Sequence, residues 1–374
     1  MQIEPFPLIE IGGSARERGR QYGEQAAERI RKGSAMYTGL LGGLKLGAEE
    51  IAGLVRRFIP TIDAFDPAYV EEMRGIAEGA NVPFEDVVLL NARTEVVRLA
   101  RRGKADRVPD GCTGAVILPE ASRDGIVIHG QNWDWRAECV ETAVVLKIRR
   151  DDGPDILTFT EAGGLARSGF NSAGIAITAN YLESDRDRDQ SGVPLPLIRR
   201  KALEATHLAL AIRAVAGTAK SASNNMMLSD AKGVAIDFEC APDEVFPLYP
   251  ERGVLVHANH WVGQVALSKL RDTGIADNPD SLYRDLRVRQ ALEKSIGALT
   301  RDHLRAALFD DFGTPYSVCR PPRPAFKGNI AASVAMVLME PANGIMEVIP
   351  MPALNRKATI YRLDPAPAAS RSVA

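Results

Sequence analysis

The stretch that most constrains this chain is Asp110-Gly111-Cys112-Thr113-Gly114 with the two apolar runs that follow it. Ala115 to Leu118 is the first run and Ile126 to Ile128 the second. Between them lies the turn cluster Glu120-Ala121-Ser122-Arg123-Asp124-Gly125. β-Branched runs on either side of an Asp-Gly turn predict an antiparallel hairpin. The second arm continues into His129-Gly130-Gln131-Asn132-Trp133-Asp134-Trp135. The position midway between Cys112 and Asp134 falls inside the turn. Folding there brings a sulfur and a carboxylate together, in register to within a residue or two. The plain alternative is a core cysteine, buried and inert at a strand start.

Composition narrows the class. The chain has 374 residues, 45% hydrophobic and 25% charged, with a formal net charge of -2. That suits a globular protein of one large or two ordinary domains. The near-neutral balance argues against a nucleic-acid partner. No apolar run is long enough to span a membrane. Met1-Gln2-Ile3-Glu4-Pro5 lacks the basic start and apolar core of a secretory signal, and Ser370-Arg371-Ser372-Val373-Ala374 carries no lipidation or retention signal. Cys112, Cys139, Cys240 and Cys319 are too far apart for paired zinc-ligand spacing or a dense disulfide framework. These features predict a reduced, cytoplasmic protein.

Residues 1 to about 100 read as mostly helical. Ser14-Ala15-Arg16-Glu17 is a capping box that opens a helix to about Arg31. The glycine-rich stretch Gly33 to Gly47 predicts loops or bends. Ala48 to Phe58 has helical spacing. Asp66-Pro67 starts a helix that ends near Asn81, and Pro83 starts another through Leu99. Arg101 to Arg107 is charged and apolar-poor, and reads as an exposed linker. After Cys112 the texture changes to strands at Thr142–Ile148, Asp155–Glu161, Gly174–Ala179, Asn225–Leu228, Val234–Glu239 and Gly253–Ala258. Helices fall at Pro196–Thr206, His207–Ala216, Ser281–Leu292 and Arg301–Leu308. A closing hairpin joins Ala332–Met339 to Gly344–Ile349, and a last strand lies at Thr359–Arg362. Strand runs alternating with helix pairs predict an antiparallel α+β layer fold. No G-x-G-x-x-G follows a strand, which argues against a dinucleotide domain.

A cysteine nucleophile needs a base and an oxyanion donor. Of the five histidines, His207 and His303 belong to helices. His129 shares the hairpin with Cys112, and His257-Ala258-Asn259-His260-Trp261 ends an apolar strand. Polar groups gathered at a strand end suggest a site. A Cys-His pair in an uncut chain is therefore one route. A zinc reading of His257 and His260 lacks a third ligand at motif spacing. A second route needs no histidine. If the chain is cut between Gly111 and Cys112, the new α-amine lies within reach of the thiol. Its unperturbed pKa of about 8 leaves a neutral fraction that can act as base.

Four segments carry a resemblance: Asp110-Gly111-Cys112-Thr113, Gly130-Gln131-Asn132-Trp133-Asp134-Trp135, Gly169-Phe170-Asn171-Ser172-Ala173-Gly174-Ile175-Ala176 and His257-Ala258-Asn259-His260. Together they resemble the isopenicillin N acyltransferase family of N-terminal-nucleophile hydrolases. The resemblance implies a four-layer αββα fold and self-cleavage before the cysteine. It also implies a thiol acting on amide or thioester carbonyls of a small molecule, with no cofactor and no metal. Cys112 then matches the nucleophile and Asp134 the carboxylate beside its amine. Asn259 matches the oxyanion amide, with Asn180 where distant relatives have a second one. Thr113, Trp135, His260 and Asn329 are expected to contact substrate. Near Lys327-Gly328-Asn329 the chain departs from penicillin-making members, which have an arginine where Asn329 or Ile330 stands. Residues 1–111 are expected to form a small, mainly helical fragment that stays bound to a catalytic domain, 112–374; a homo-oligomer is left open. A binding protein with an inert Cys112 is the non-enzymatic alternative.

Overall fold

The computed structural model describes residues 3–101, 111–325 and 329–364. The expected linker beyond Arg101, Asp110, and Lys327-Gly328 lie outside the described residues. The chain opens with a short strand, β1 (Leu8–Ile11), in a region the sequence reads as mostly helical. Helix α1 (Ala15–Gly43) then starts on Ser14, whose backbone N–H donates to Glu17 Oε2 at 2.9 Å in the expected capping box. It does not stop near Arg31. Its buried stripe, Tyr22, Ala26, Ile30, Gly33, Tyr37 and Leu41, keeps helical spacing straight through the glycines. Burial along that stripe outweighs a propensity cost of about 1 kcal/mol per glycine.

Helices α2 (Ala48–Arg56) and α3 (Ile59–Phe65) lead to α4 (Pro67–Ala80). Asp66 caps α4 by accepting from the Ala68 N–H at 3.0 Å, and Asn81 ends it in the left-handed region at φ 51°. Helices α1 and α4 pack almost backbone to backbone. A Cβ added at Gly19 would come within 2.0 Å of the Glu72 carbonyl oxygen, and one at Gly75 within 2.2 Å of that of Arg16. Helix α5 (Phe84–Ala100) follows.

Two sheets form the centre. The eight-stranded sheet runs in the order β1, β4 (Ala143–Ile148), β5 (Ile156–Glu161), β6 (Ser168–Asn171), β7 (Ile175–Tyr181), β8 (Asn224–Asp230), β9 (Val234–Cys240) and β10 (Val245–Leu248). Its pairs are antiparallel except that β1 joins β4 in parallel. The seven-stranded sheet runs β11 (Val254–His257), β2 (Gly111–Ile117), β3 (Ile128–Arg136), β13 (Ile330–Glu340), β14 (Ile345–Pro350) and β15 (Thr359–Arg362), with β12 (Arg323–Pro324) also on β13. The strands β1, β6, β10 and β12, none longer than four residues, are additions to the sequence reading. Such short runs show no alternation long enough to register.

The sheets pack face to face, with Val116, Leu118 and Val127 against Met227 and Ala235. Helices α6 (Leu195–Leu203) and α7 (Leu208–Ala216), with α1 and α5, cover the eight-stranded sheet. A one-turn helix, α8 (Gln264–Leu267), leads to α9 (Ser281–Glu293) and α10 (Arg301–Leu308), which cover the other sheet with Val288, Leu292, Leu304 and Leu308 against Ala115, Ile117 and Leu338. The result is the expected α+β, four-layer αββα arrangement.

A buried ion network ties the first hundred residues to the rest. Arg200 of α6 reaches both Glu72 carboxylate oxygens, at 3.0 and 3.1 Å, and Arg18 of α1 reaches the same group at 3.3 Å. Glu72 and Arg200 are both fully buried. Arg200 also bonds Glu204 at 2.9 Å, so deleting Glu72 leaves two buried guanidinium groups without the carboxylate they share. Glu72→Ala is expected to lose about 3–5 kcal/mol of stability. Urea unfolding measures it, and Glu72→Ala combined with Arg200→Met is expected to recover part of the loss.

Candidate active site

The β2–β3 hairpin forms as the sequence predicts, with a register that matters. Gly111 pairs with Asp134 and Cys112 with Trp133. Side chains alternate across a strand, so an offset of one residue moves a group to the other face. The Asp134 carboxylate therefore shares a face with Gly111 and Thr113, and the Cys112 thiol with Trp133. The register falls within the one or two residues expected, with the sulfur and the carboxylate on opposite faces of the hairpin. A Cβ built on Gly111 would lie 2.8 Å from Asp134 Oδ2, so the carboxylate rests against Gly111 itself.

The Asp134 face looks toward α9. Arg320 lies 3.2 Å from Asp134 Oδ2, and the Ser333 hydroxyl donates to Asp134 Oδ1. Arg320 also bonds Asp280, which takes Arg284 Nε at 2.7 Å. Arg284 Nη1 donates to the Cys112 carbonyl at 2.7 Å and to Thr113 Oγ1 at 2.8 Å, and Nη2 to Asn259 Oδ1 at 2.9 Å. Two aspartates thus balance two arginines, all buried. Thr113 is spent on this network rather than turned toward the thiol side.

The Cys112 backbone N–H donates to Asn259 Oδ1 at 2.8 Å. Arg284 carries only donors, so its bond identifies the Asn259 atom it meets as the oxygen. Asn259 Nδ2 bonds the Tyr181 carbonyl at 2.9 Å, leaving one N–H of the amide for a further acceptor. Asn180 is on β7 in the facing sheet. Its Oδ1 lies 3.8 Å from a Cβ built on Gly114, two residues along from Cys112 on the same face. It accepts from Gln131 at 2.6 Å and donates to the His257 carbonyl at 2.9 Å.

On the thiol face, Arg167 Nη2 is 3.9 Å from Cys112 Sγ, and its guanidinium carbon stacks 4.1 Å from the Trp133 ring centroid. Arg199 of α6 is near enough for its charge to be felt at Cys112. Arg93 of α5 is paired with Glu161 at 2.9 Å. The remaining cysteines are buried, and burial is the largest effect on each. Burial, then the charge of Glu161, raises Cys139 well above the ordinary thiol value; burial pushes Cys240 and Cys319 up to about 12. None of the four is in a disulfide.

The histidines are committed elsewhere. Burial pulls His129 down to about 3, and its two nitrogens meet Ser229 and Thr178. Burial alone would lower His257 too, but the charges of Asp237 and Glu239 outweigh it and push it up to about 9. A protonated ring bonded to Glu239 at 3.0 Å is no base at neutral pH. Burial, then the His257 charge, pulls His260 down to about 4; its Nδ1 meets Ser281 at 2.8 Å. The Cys-His route is thus left without a poised base among these three. Trp135 is on the thiol face but buried, its Nε1–H donating to Tyr37 at 3.0 Å. Asn329 is half-buried and away from the cluster. Ser333 lies opposite Asp134, and four residues of strand separate Asn329 from it by about 13 Å. The arginine that meets Asp134 is Arg320.

Arg284, Arg320, Asp280 and Arg167 were not singled out in the sequence. One signal was available: the apolar stripe of α9, Val288 and Leu292, extends N-terminally onto Arg284 and Ser281, and both are buried. Among the described residues no group of three or more His, Cys, Asp or Glu could hold a metal ion, and no helix is long and apolar enough to cross a membrane.

Residues 121–349, more than half of the chain, match the profile of the family described as Acyl-coenzyme A:6-aminopenicillanic acid acyl-transferase. The chain belongs to this acyltransferase family. It is 29% identical over 311 residues to the 40 kDa form of acyl-coenzyme A:6-aminopenicillanic-acid-acyltransferase of Emericella nidulans, covering 82% of this chain and 83% of that one. Among solved structures it is similar to a variant of conjugated bile acid hydrolase from Clostridium perfringens, at TM-score 0.46 and 13% identity, over 70% of this chain and 100% of that one. It is also similar to penicillin V acylase from Agrobacterium tumefaciens, at TM-score 0.42 and 15% identity, over 68% of this chain and 87% of that one. Asp134, Asn180 and Asn259 fall inside the stretch that matches the acyltransferase family, and Cys112 falls just before it.

Proposed function

We propose that this acyltransferase-family chain is a self-processing N-terminal-cysteine enzyme acting on an amide or acyl thioester of a small molecule. One observation carries the reading. Cys112 has its backbone N–H on Asn259 Oδ1 and its thiol beside a guanidinium, while the Asp134 carboxylate rests against the residue that would leave. The Cys112 sulfur attacks the Gly111 carbonyl and forms a thioester, the thiol losing its proton and the Cys112 nitrogen gaining one. Water then hydrolyses the thioester. The freed α-amine, with an ordinary pKa of about 8, serves as base in later turnovers. Asp134 lies where Gly111 departs, and its charge orients that amine. Asn259 and Asn180 donate to the oxyanion of the acyl intermediate. Water or an amine resolves the substrate thioester. Thiol chemistry of this kind suits a reducing, cytoplasmic setting.

The two fragments, 1–111 and 112–374, stay together in this reading. β1 pairs with β4, and the Glu72–Arg200 pair crosses between them in the core. The test is the mass of the purified wild-type protein and the N-terminal sequence of its large fragment, expected to begin Cys112-Thr113. A screen of N-acyl amines and acyl thioesters accompanies it. An intact chain that is fully active overturns the self-processing mechanism.

A further inference from the structure

Before any cut is made, the Cys112 nitrogen is a peptide N–H, donating to Asn259, and cannot act as base. The first reaction therefore needs a thiol activated by something other than its own amine. Burial and hydrogen bonding have already excluded His129, His257 and His260 from that task. Among the described residues, Arg167 touches the sulfur, its Nη2 3.9 Å from Cys112 Sγ. It comes from the connection just ahead of β6 and is 8% exposed. Among the described residues it has no carboxylate at ion-pair distance, because the nearby Glu161 is bonded by Arg93 and Tyr37. Among the described residues its guanidinium meets Cys112 Sγ and the face of Trp133, and its Nε has no hydrogen-bond partner. A buried guanidinium stays charged, and leaving it without an anion is costly. Stacking on an indole returns part of that cost. Glu161 reaches Arg167 through its charge but not by contact; a thiolate at Cys112 would supply the contacting anion.

We propose that Arg167, stacked on Trp133, holds Cys112 as a thiolate in the uncut chain and so drives self-cleavage. This rests on the self-processing reading. The thiol proton passes to solvent base, and the Cys112 Sγ forms a bond to the Gly111 carbonyl carbon. The Gly111–Cys112 C–N bond breaks, and its nitrogen takes a proton back from solvent. The net change is one N–H gained for one S–H lost. Among the described residues, Arg199 of α6 is another cation whose charge meets Cys112, with Arg93 and Glu95 of α5 around Arg199 and Glu161 of β5 near Arg167 and Arg93; Arg284 and Asp134 lie on the opposite face of the strand. Glu161 is paired with Arg93, and Glu95 takes the Leu195 N–H at 2.9 Å. Neither competes for Arg167 by hydrogen bond.

Two measurements test it. The first is alkylation of Cys112 by iodoacetamide against pH in chain not yet cut, read by the mass of the peptide that still spans Gly111 and Cys112. In the wild type the reaction should persist well below the ordinary thiol range near pH 8.5, and Arg167→Met should move the midpoint up. The second is the rate at which the large fragment appears near pH 7. Arg167→Met should slow it about 10- to 100-fold, a factor of ten for each unit of midpoint shift. Arg167→Lys, which keeps the charge, should recover most of the rate. A wild-type alkylation profile like that of an ordinary thiol overturns the proposal even if the Met variant does not fold. So does a Lys variant as slow as Met with an unmoved midpoint, since that pattern belongs to a packing role. If wild-type protein never cuts yet its alkylation shows the Arg167-dependent shift, the self-processing reading fails and the thiolate pairing stands.

Discussion

Cys112→Ala is expected to remain one chain of 374 residues and to turn over no substrate. The loss should be complete, because the substitution removes the atom that forms both acyl bonds. Folding should survive. Cys112 is 1% exposed, and the side chain shares its surroundings with Trp133 and Phe159. Deleting one sulfur leaves a small cavity, with a cost below the about 2–5 kcal/mol typical of larger truncations. Cys112→Ser should cut, but more slowly, since a hydroxyl is a poorer nucleophile than a thiolate. Gel mobility and intact mass read the processing. Circular dichroism shows whether the fold is kept. A folded Cys112→Ala protein that still separates into two fragments would mean that another group cuts the chain, and Cys112 would lose both assigned roles.

Asn259→Ala should cost roughly 100- to 1,000-fold in turnover, the usual effect of removing one oxyanion donor. The side chain has two jobs in the structure. Its Oδ1 receives the Cys112 N–H and Arg284, while Nδ2 bonds Tyr181 and has one N–H left. Asn259→Asp separates the two jobs. It keeps an oxygen for Cys112 and Arg284 but loses every donor. An oxyanion role predicts that Asp is as poor as Ala in kcat. A positioning role predicts that Asp restores most of the rate. Processing must be scored in both variants, and rates expressed per cut molecule, because the same donor can serve the first cleavage.

Much of the architecture was legible. Ser14 with Glu17, and Asp66 with Pro67, announced helix starts through local backbone chemistry that needs no distant partner. The hairpin around residues 120–125 followed from β-branched runs flanking a turn, and Arg301–Leu308 and Thr359–Arg362 lie where the sequence puts them. The end of α1 was misjudged because glycine propensity is a local quantity. The buried stripe that overrides it is visible only once Leu90 is seen packed against Gly33.

The sequence by itself determined that Cys112 and Asp134 would belong to neighbouring strands, because pairing across a short turn depends on a dozen adjacent residues. It also determined the layered α+β class, through strand and helix periodicities. Only the tertiary structure decided which face each group takes. A shift of one residue in register places the thiol between the sheets and the carboxylate under α9, and sequence patterning cannot resolve one residue. The arginines were decided there as well. Arg284 meets Cys112 across 172 residues of chain and Arg167 across 55. In a sequence such residues look like solvated surface charge. They become site residues only when packing buries them and the low dielectric of the interior makes each one require a partner.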